Sequence, residues 1–468
     1  MKSKVRAFLI FSILNFSLLA VPEKEAFKFP ETLRGTRAAA YFAAFNSPGE
    51  DAMAAFFREN FGIEALKRTT VEERLARFRS FKKEALSLTP EKLFRDTEDE
   101  SGYLVRSGKG ELLEFTFRFE KGSAALLAAI MGAPIDPENA AELAGPPLGR
   151  EEVLARIRVE LDKRSRADQF SGVVLVAEGE QVVLHEARGL ASQEYAAANQ
   201  VDTRFNLGSI NKIFTRVAIG QLAERGRLSL EDTIVKFLPS YPNREAAGKV
   251  TVRQLLDMTS GIGDFFGNKY EDTPKNRIRT LEDYLPLFAS APLLFAPGSQ
   301  RRYSNGGYVV LGLIVEKATG QSYYDYVREH ITVPAGMTAT GCFDADVPLE
   351  HVASGYTRNW DDAEHEKEPR RNNMYTRPAR GSSAGGGYST ALDLFRFSRA
   401  LRAGTLLGPL GKEWFAGPQA YAGGAPGINA ELDMDPVPGW TVVVMGNYDP
   451  PAAMALAQKI VVLLRRMR

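Results

Sequence analysis

Ser209 and Lys212 stand three apart in "NLGSINKIF" (206–214), just ahead of an apolar helical stripe. A serine with a lysine on the same helical face can form a nucleophile and base, provided burial or charge lowers the lysine from its usual value of ~10.4. The same serine at a helix start reads equally as a cap, with the lysine facing water. Ile213, Phe214, Val217, Ala218, Gln221 and Leu222 outline one buried stripe with a single polar exception, which places Ser209 at or near the helix start. Unpaired N–H groups and the positive dipole end favour an oxyanion there. A second S-x-x-K, Ser80–Lys83, falls inside a charged helical pattern and reads as a solvated face.

A rival nucleophile is Ser383, at the centre of G-x-S-x-G in "GSSAG" (381–385). A nucleophile elbow needs a strand before it, a helix directly after it and a later histidine. "MYTRPAR" precedes, "GGGYST" follows, and His185, His330, His351 and His365 all come earlier, so the elbow is rejected. The scattered histidines and the absence of H-E-x-x-H predict no metal site. Another proton carrier is then required, and "RRYSNGGYVVLGLIVEKATG" offers Tyr303 as a relay and Asn305 as a donor to a substrate amide, ahead of a helical run starting near Tyr308. Tyr241–Pro242–Asn243 matches Y-x-N as well, but in a turn-like setting.

These residues need a scaffold, and 468 residues suffice for two or three domains. Lys plus Arg of 59 against Asp plus Glu of 58 gives a net charge of +1, which offers nothing toward a nucleic-acid partner. One cysteine, Cys342, excludes an internal disulfide and a cysteine-based zinc cluster, and reads as a small packing residue. Lys2, Lys4 and Arg6 precede an apolar run from Ala7 to Ala20. That pattern predicts a signal peptide over 1–20 and a periplasmic or secreted location, with membrane contact only if the segment is uncleaved.

Helical spacing in "RAAAYFAAFNS", "EDAMAAFFRENF" and "VEERLARFRSFKKEAL", followed by strands at "SGYLVRSG" and "ELLEFTFRFE", predicts a small α+β module over 25–131. Its helices-then-sheet order resembles NTF2-like domains. Pro, Gly and Ala over 132–149 predict a linker. Beyond it come a helix, a strand pair turning at Glu178–Gly179–Glu180, a long helical middle, two late strands and a closing amphipathic helix, all within 150–468.

"SGVVLVAEGEQVV", "FNLGSINKIFTRVAIGQLAERGRLSLEDTI", "VTVRQLLDMTSGIGDF", the Tyr303–Asn305 segment, "GSSAGGGYSTALDLFRFSRAL" and "GGAPGINAEL" occur in that order. As a set they resemble the serine β-lactamase and penicillin-binding-protein-like superfamily, in its class C-like branch of esterases and D-stereospecific peptidases. The resemblance implies an α+β multidomain chain, with a mixed sheet flanked by terminal helices and an inserted all-helical lobe. It implies Ser209 as nucleophile, Lys212 as its base partner, Tyr303 with Asn305 as the second motif, and "GSSAGGGYST" as a Gly-rich loop. The third motif, a Lys or His before two small residues, aligns with Tyr421, Ala422 and Gly423. Gly424 fits the backbone position that completes an oxyanion hole with Ser209.

The implied function is an exported serine hydrolase with no cofactor and no metal. It would act through an acyl-enzyme on a small-molecule or peptide ester, amide or D-amino-acid peptide, or weakly on a β-lactam. The alternative is a catalytically silent relative that binds peptidoglycan fragments or a protein partner. Without a cation at Tyr421, weak activity on anionic substrates and better activity on neutral ones is expected.

Overall fold

The computed structural model describes residues 27–467 apart from 123, 360–364 and 366, so the expected signal over 1–20 lies outside the described residues. The chain divides into two compact units, 1–144 and 145–468.

In the first unit, helices α1 (Leu33–Asn46), α2 (Asp51–Asn60), α3 (Ile63–Arg68) and α4 (Val71–Ala85) precede an antiparallel sheet. Its strands, β1 (Leu88–Asp96), β2 (Glu100–Ser107), β3 (Leu112–Phe119) and β4 (Leu127–Pro134), pair in sequence order. Thr70 and Glu73 close α4 with a reciprocal capping box. Tyr41, Phe42, Phe45, Phe56, Phe115 and Phe117 fill the core between helices and sheet. Ser80 and Lys83 lie exposed on α4, as their charged surroundings predicted.

Two strands escaped the periodicity. In β1 a proline and charges mask the pattern. Pro90 is tolerated because β1 is an edge strand, with its pairing slipping between Pro90 and Lys92. The expected linker over 132–149 is corrected in its first part, since β4 runs on to Pro134 and α5 (Pro137–Leu143) follows, while the division between the two units falls inside it, after Ala144. Asp136 caps that helix by accepting from Asn139 N, and Pro137 occupies its first turn, where a missing N–H costs nothing.

In the second unit, α6 (Arg150–Arg166) leads into β5 (Gly172–Glu178) and β6 (Gln181–Arg188), a hairpin turning where Gly179 takes a φ of 55°. Late strands β7 (Gln419–Ala425), β8 (Ile428–Met434) and β9 (Trp440–Gly446) complete a sheet of order β7-β8-β9-β5-β6. Every neighbouring pair is antiparallel, a refinement of the mixed sheet the resemblance implied. The closing helix α10 (Ala452–Arg465) packs with α6 on one face through Ile157, Leu161, Leu456 and Ile460.

Alternation along β5 explains why the strand is buried on both sides. Val174 and Val176 join that cluster, whereas Val173, Leu175 and Ala177 join the core shared with the inserted lobe. The lobe is mainly helical, with α7 (Lys212–Glu224), α8 (Asn305–Thr319) and α9 (Ala391–Arg402) as its longer helices. Ladders two residues long interrupt it at Tyr356–Thr357 with Arg371–Asn372.

Candidate active site

The stripe expected on α7 is buried throughout, and its polar member Gln221 is satisfied by donating to Leu406 O at 2.6 Å and His330 O at 3.0 Å. Ser209 sits one turn earlier, in a short 3₁₀ turn over Gly208–Asn211. Gly208 enters that turn at φ 49°, a left-handed conformation that a side chain would strain. The Gly-rich segment 381–387 cradles it. Leu207 N donates to Gly387 O at 2.7 Å, Gly386 N to Gly208 O at 3.2 Å, and Asn211 Nδ2 to Ser382 O at 3.1 Å.

Lys212 opens α7 and is 7% exposed. Its Nζ lies 3.0 Å from Ser209 Oγ, 2.7 Å from Asn305 Oδ1 and 2.5 Å from the Ala384 carbonyl. Three acceptors match the three donors of an ammonium, so a proton on Nζ is fully housed. Burial acts in the opposite direction and pulls the amine down to about 7, with the Asp264 charge partly restoring it. The amine is therefore poised near neutrality, able to take a proton and hold it.

The second helix supplies the other half. Ser304 caps α8 by accepting from Gly307 N, and Asn305 is its first residue, three earlier than the sequence suggested. Gly306 allows this early start, since a Cβ there would lie 2.5 Å from Gly263 O. Tyr303, just before the cap, points its hydroxyl at Ser209 Oγ at 2.5 Å. Its pKa is raised by burial, opposed by the Ser209 bond, so the phenol stays protonated near neutrality. Asn305 is oriented by Asp264, which accepts from its Nδ2 at 2.7 Å.

On the far side of Ser209 stands the edge strand β7. A Cβ on Gly423 would fall 1.9 Å from Leu207 O and 3.2 Å from Ser209 N, and one on Gly208 would fall 2.8 Å from Gly424 N. Only glycines permit the strand to lie against the Ser209 turn. Ser209, Asn305 and Gly424 open onto one cavity of about 750 Å³, walled by Phe265, Phe266, Tyr270, Tyr284 and Phe343.

Six of the seven site residues named from the sequence are thus gathered around Ser209. Tyr421 is the exception. Its hydroxyl donates to Gln419 Oε1 at 3.0 Å, its ring packs on the lobe core, and burial pushes it up to about 12. A side chain two residues from Gly423 keeps to that strand face but is drawn into apolar packing, so its assignment to substrate binding is withdrawn.

The rejected alternatives take structural roles. Ser383 is fully buried and donates to Tyr308 O at 2.8 Å. Tyr241 is buried, and Asn243 caps the helix Arg244–Lys249. Burial raises the Cys342 thiol to about 11. Among the described residues no group of histidine, cysteine, aspartate or glutamate could hold a metal ion. Asp264 and the Ala384 carbonyl were missed by sequence reasoning. Both lie in quoted motif segments, but their parts depend on contacts the motifs do not encode.

The model of the Beta-lactamase family matches residues 160–465. The chain belongs to the Beta-lactamase family. Within this family it is 32% identical over 254 residues to "Penicillin-binding protein 4*" of Bacillus subtilis (strain 168), covering 52% of this chain and 55% of that protein. It is 34% identical over 212 residues to "Esterase EstB" of Burkholderia gladioli, covering 42% of this chain and 54% of that one. The chain thus spans about half the length of these curated relatives. Among solved structures, a penicillin binding protein from Bacillus halodurans aligns with a TM-score of 0.56 at 30% identity, over 63% of this chain and 98% of that one. A D-amino acid amidase from Ochrobactrum anthropi SV3 shares the fold, with a TM-score of 0.57 at 22% identity, over 67% of this chain and 98% of its own.

Proposed function

We propose that this protein is a serine hydrolase that works through an acyl-enzyme on an ester, amide or D-amino-acid peptide bond. The observation that carries this reading is the meeting of Lys212 Nζ and Tyr303 Oη at Ser209 Oγ, at 3.0 and 2.5 Å. Neutral Lys212 takes the Ser209 proton as Oγ attacks the substrate carbonyl carbon. The oxyanion forms toward the backbone of Ser209 and Gly424. Tyr303, held protonated, gives its proton to the departing oxygen or nitrogen and regains one from the Lys212 ammonium. Water then attacks the acyl carbon, the acyl–Oγ bond breaks, and Ser209 recovers its proton.

Named relatives support the hydrolytic reading, since they include an esterase and, at the level of fold, an amidase. A silent binding protein would have no use for a buried amine tuned to neutrality beside a serine. Export is part of the proposal and rests on the sequence of residues 1–20. Among the described residues no helix is long and apolar enough to cross a membrane.

The test is intact-mass analysis after exposure to a fluorophosphonate. Wild type is expected to gain one adduct and Ser383→Ala to gain the same, while Ser209→Ala gains none and loses roughly 10³–10⁶ in turnover. Equal labelling of Ser209→Ala would remove Ser209 as the nucleophile.

A further inference from the structure

The four-stranded sheet of the first unit has two edges, and they are built differently. Along β1, Pro90, Glu91, Lys92, Arg95 and Asp96 interrupt the apolar residues, and the pairing with β2 slips twice. Proline, charge and irregular pairing all keep a free edge from accepting another strand. Along β4, "LAAIMGAP" carries no charge at all, and its proline stands at the last position.

The bonding groups of β4 are open as well. Ile135 N donates to Leu112 O at 3.1 Å, so alternation turns the N–H and C=O of Ile130 and Gly132, and the C=O of Pro134, away from β3. At the near end Gly62 N donates to Leu127 O at 3.0 Å. From Ala128 to Pro134 no described backbone group bonds to that side of the strand. Gly132, Ala133 and Pro134 are exposed, and Ala128 to Met131 are half-buried. Ile63, which follows Gly62 at the same end, is 71% exposed.

A long uncharged edge with open bonding groups is a template for another strand. We propose that β4 pairs antiparallel with β4 of a second copy of this chain about a two-fold axis, joining the two sheets into one. Self-complementarity selects a second copy. With the axis at Met131, Ile130 of one copy and Gly132 of the other exchange both backbone bonds, and Pro134 is not called on for an N–H. Ile130, which packs on the core face, then meets a position where even a Cβ would lie 2.8 Å from the Phe115 ring. The branched side chain is thus set beside a residue that has none. An uncharged strand opposed to itself also has no like charges to bring together. Pairing of β4 on β1, which would propagate head to tail into a fibre, is barred by the proline and charges of β1. The inference concerns the first unit and stands whether or not Ser209 is a nucleophile.

A pairing of one strand is a small interface, so a dissociation constant of roughly 1–100 μM is expected. Sedimentation equilibrium of the chain from Val21 onward, loaded below and above that range, should show wild type passing from monomer to dimer. Met131→Lys sets like charges opposite each other at the axis and should raise the dissociation constant at least about tenfold, with an unchanged circular dichroism spectrum. Met131→Cys gives a second readout that needs no buried charge. Residues opposed at a non-hydrogen-bonded site have Cα atoms about 4.5 Å apart, within reach of a disulfide. Treated with oxidised glutathione, Met131→Cys is expected to form a covalent dimer, whereas Lys92→Cys, on the charged edge, stays monomeric. A monomer at every concentration, which would leave β4 to a strand of another protein, overturns the proposal. So does a dimer that Met131→Lys leaves intact, or a covalent yield no higher for Met131→Cys than for Lys92→Cys.

Discussion

Lys212 and Arg377 are both cations set into the surroundings of one cleft, and they are held in opposite ways. The three donors of Lys212 meet three acceptors within the protein. The guanidinium of Arg377 meets none among the described residues. A group whose partners are all internal is built to exchange protons without help. A group left without partners inside the protein keeps its bonding capacity for solvent. The difference separates the proposed reacting wall around Lys212 from the wall around Arg377.

Lys212→Arg puts the harshest strain on this contrast, because it gives the proposed reacting wall the same cation as the wall around Arg377. Guanidinium does not deprotonate in proteins, so a folded variant is expected to lose roughly 10²–10⁴ in kcat/KM. Near-normal hydrolysis would show that Lys212 is no base and that the two walls do not differ in kind.

Tyr303→Phe sharpens the picture on the proton-donating side. It should cost roughly 10²-fold on an amide, whose leaving nitrogen needs a proton. The loss should be clearly smaller on a nitrophenyl ester, whose leaving group departs as an anion. Equal losses on the two would assign Tyr303 to positioning Ser209 instead.

The smallest effect is expected from pH. With Lys212 pulled down to about 7 by burial, its base form predominates only above that value. In wild type, kcat/KM should therefore rise about tenfold per pH unit below a midpoint near 7 and level off above it. Asp264 raises the lysine, so Asp264→Asn should move the acid limb to lower pH by less than about one unit, with Asn305 still able to bond residue 264. An acid limb that stays in place, or moves upward, would mean that it does not report Lys212.

Much of the reacting wall was legible in the chain because local rules govern it. Helical spacing set Ser209 before α7, and Tyr303 and Asn305 flank the cap of α8. The wall around Arg377 was illegible for a related reason. Arg377 sits in "MYTRPAR", which has no periodicity, and its lack of a partner is a property of everything folded around it. Tyr421 shows the converse error, a position correctly placed on a strand beside the site whose side chain the core recruits. Helix α5 was readable, since Asp136–Pro137 is a cap followed by a first-turn proline, but the surrounding glycines and prolines outweighed that signal. The edge strand β1 was concealed by Pro90, which a central strand would not accept.

The glycine contact between β7 and the Ser209 turn carries a consequence for how such a cleft can diversify. Gly423 is locked against Leu207 O by shape alone, with no charge involved. The reacting geometry is therefore indifferent to which ion, if any, the neighbouring positions carry. Changes of charge along the cleft can therefore leave the contact between β7 and the Ser209 turn in place, whereas any side chain at Gly423 would break it.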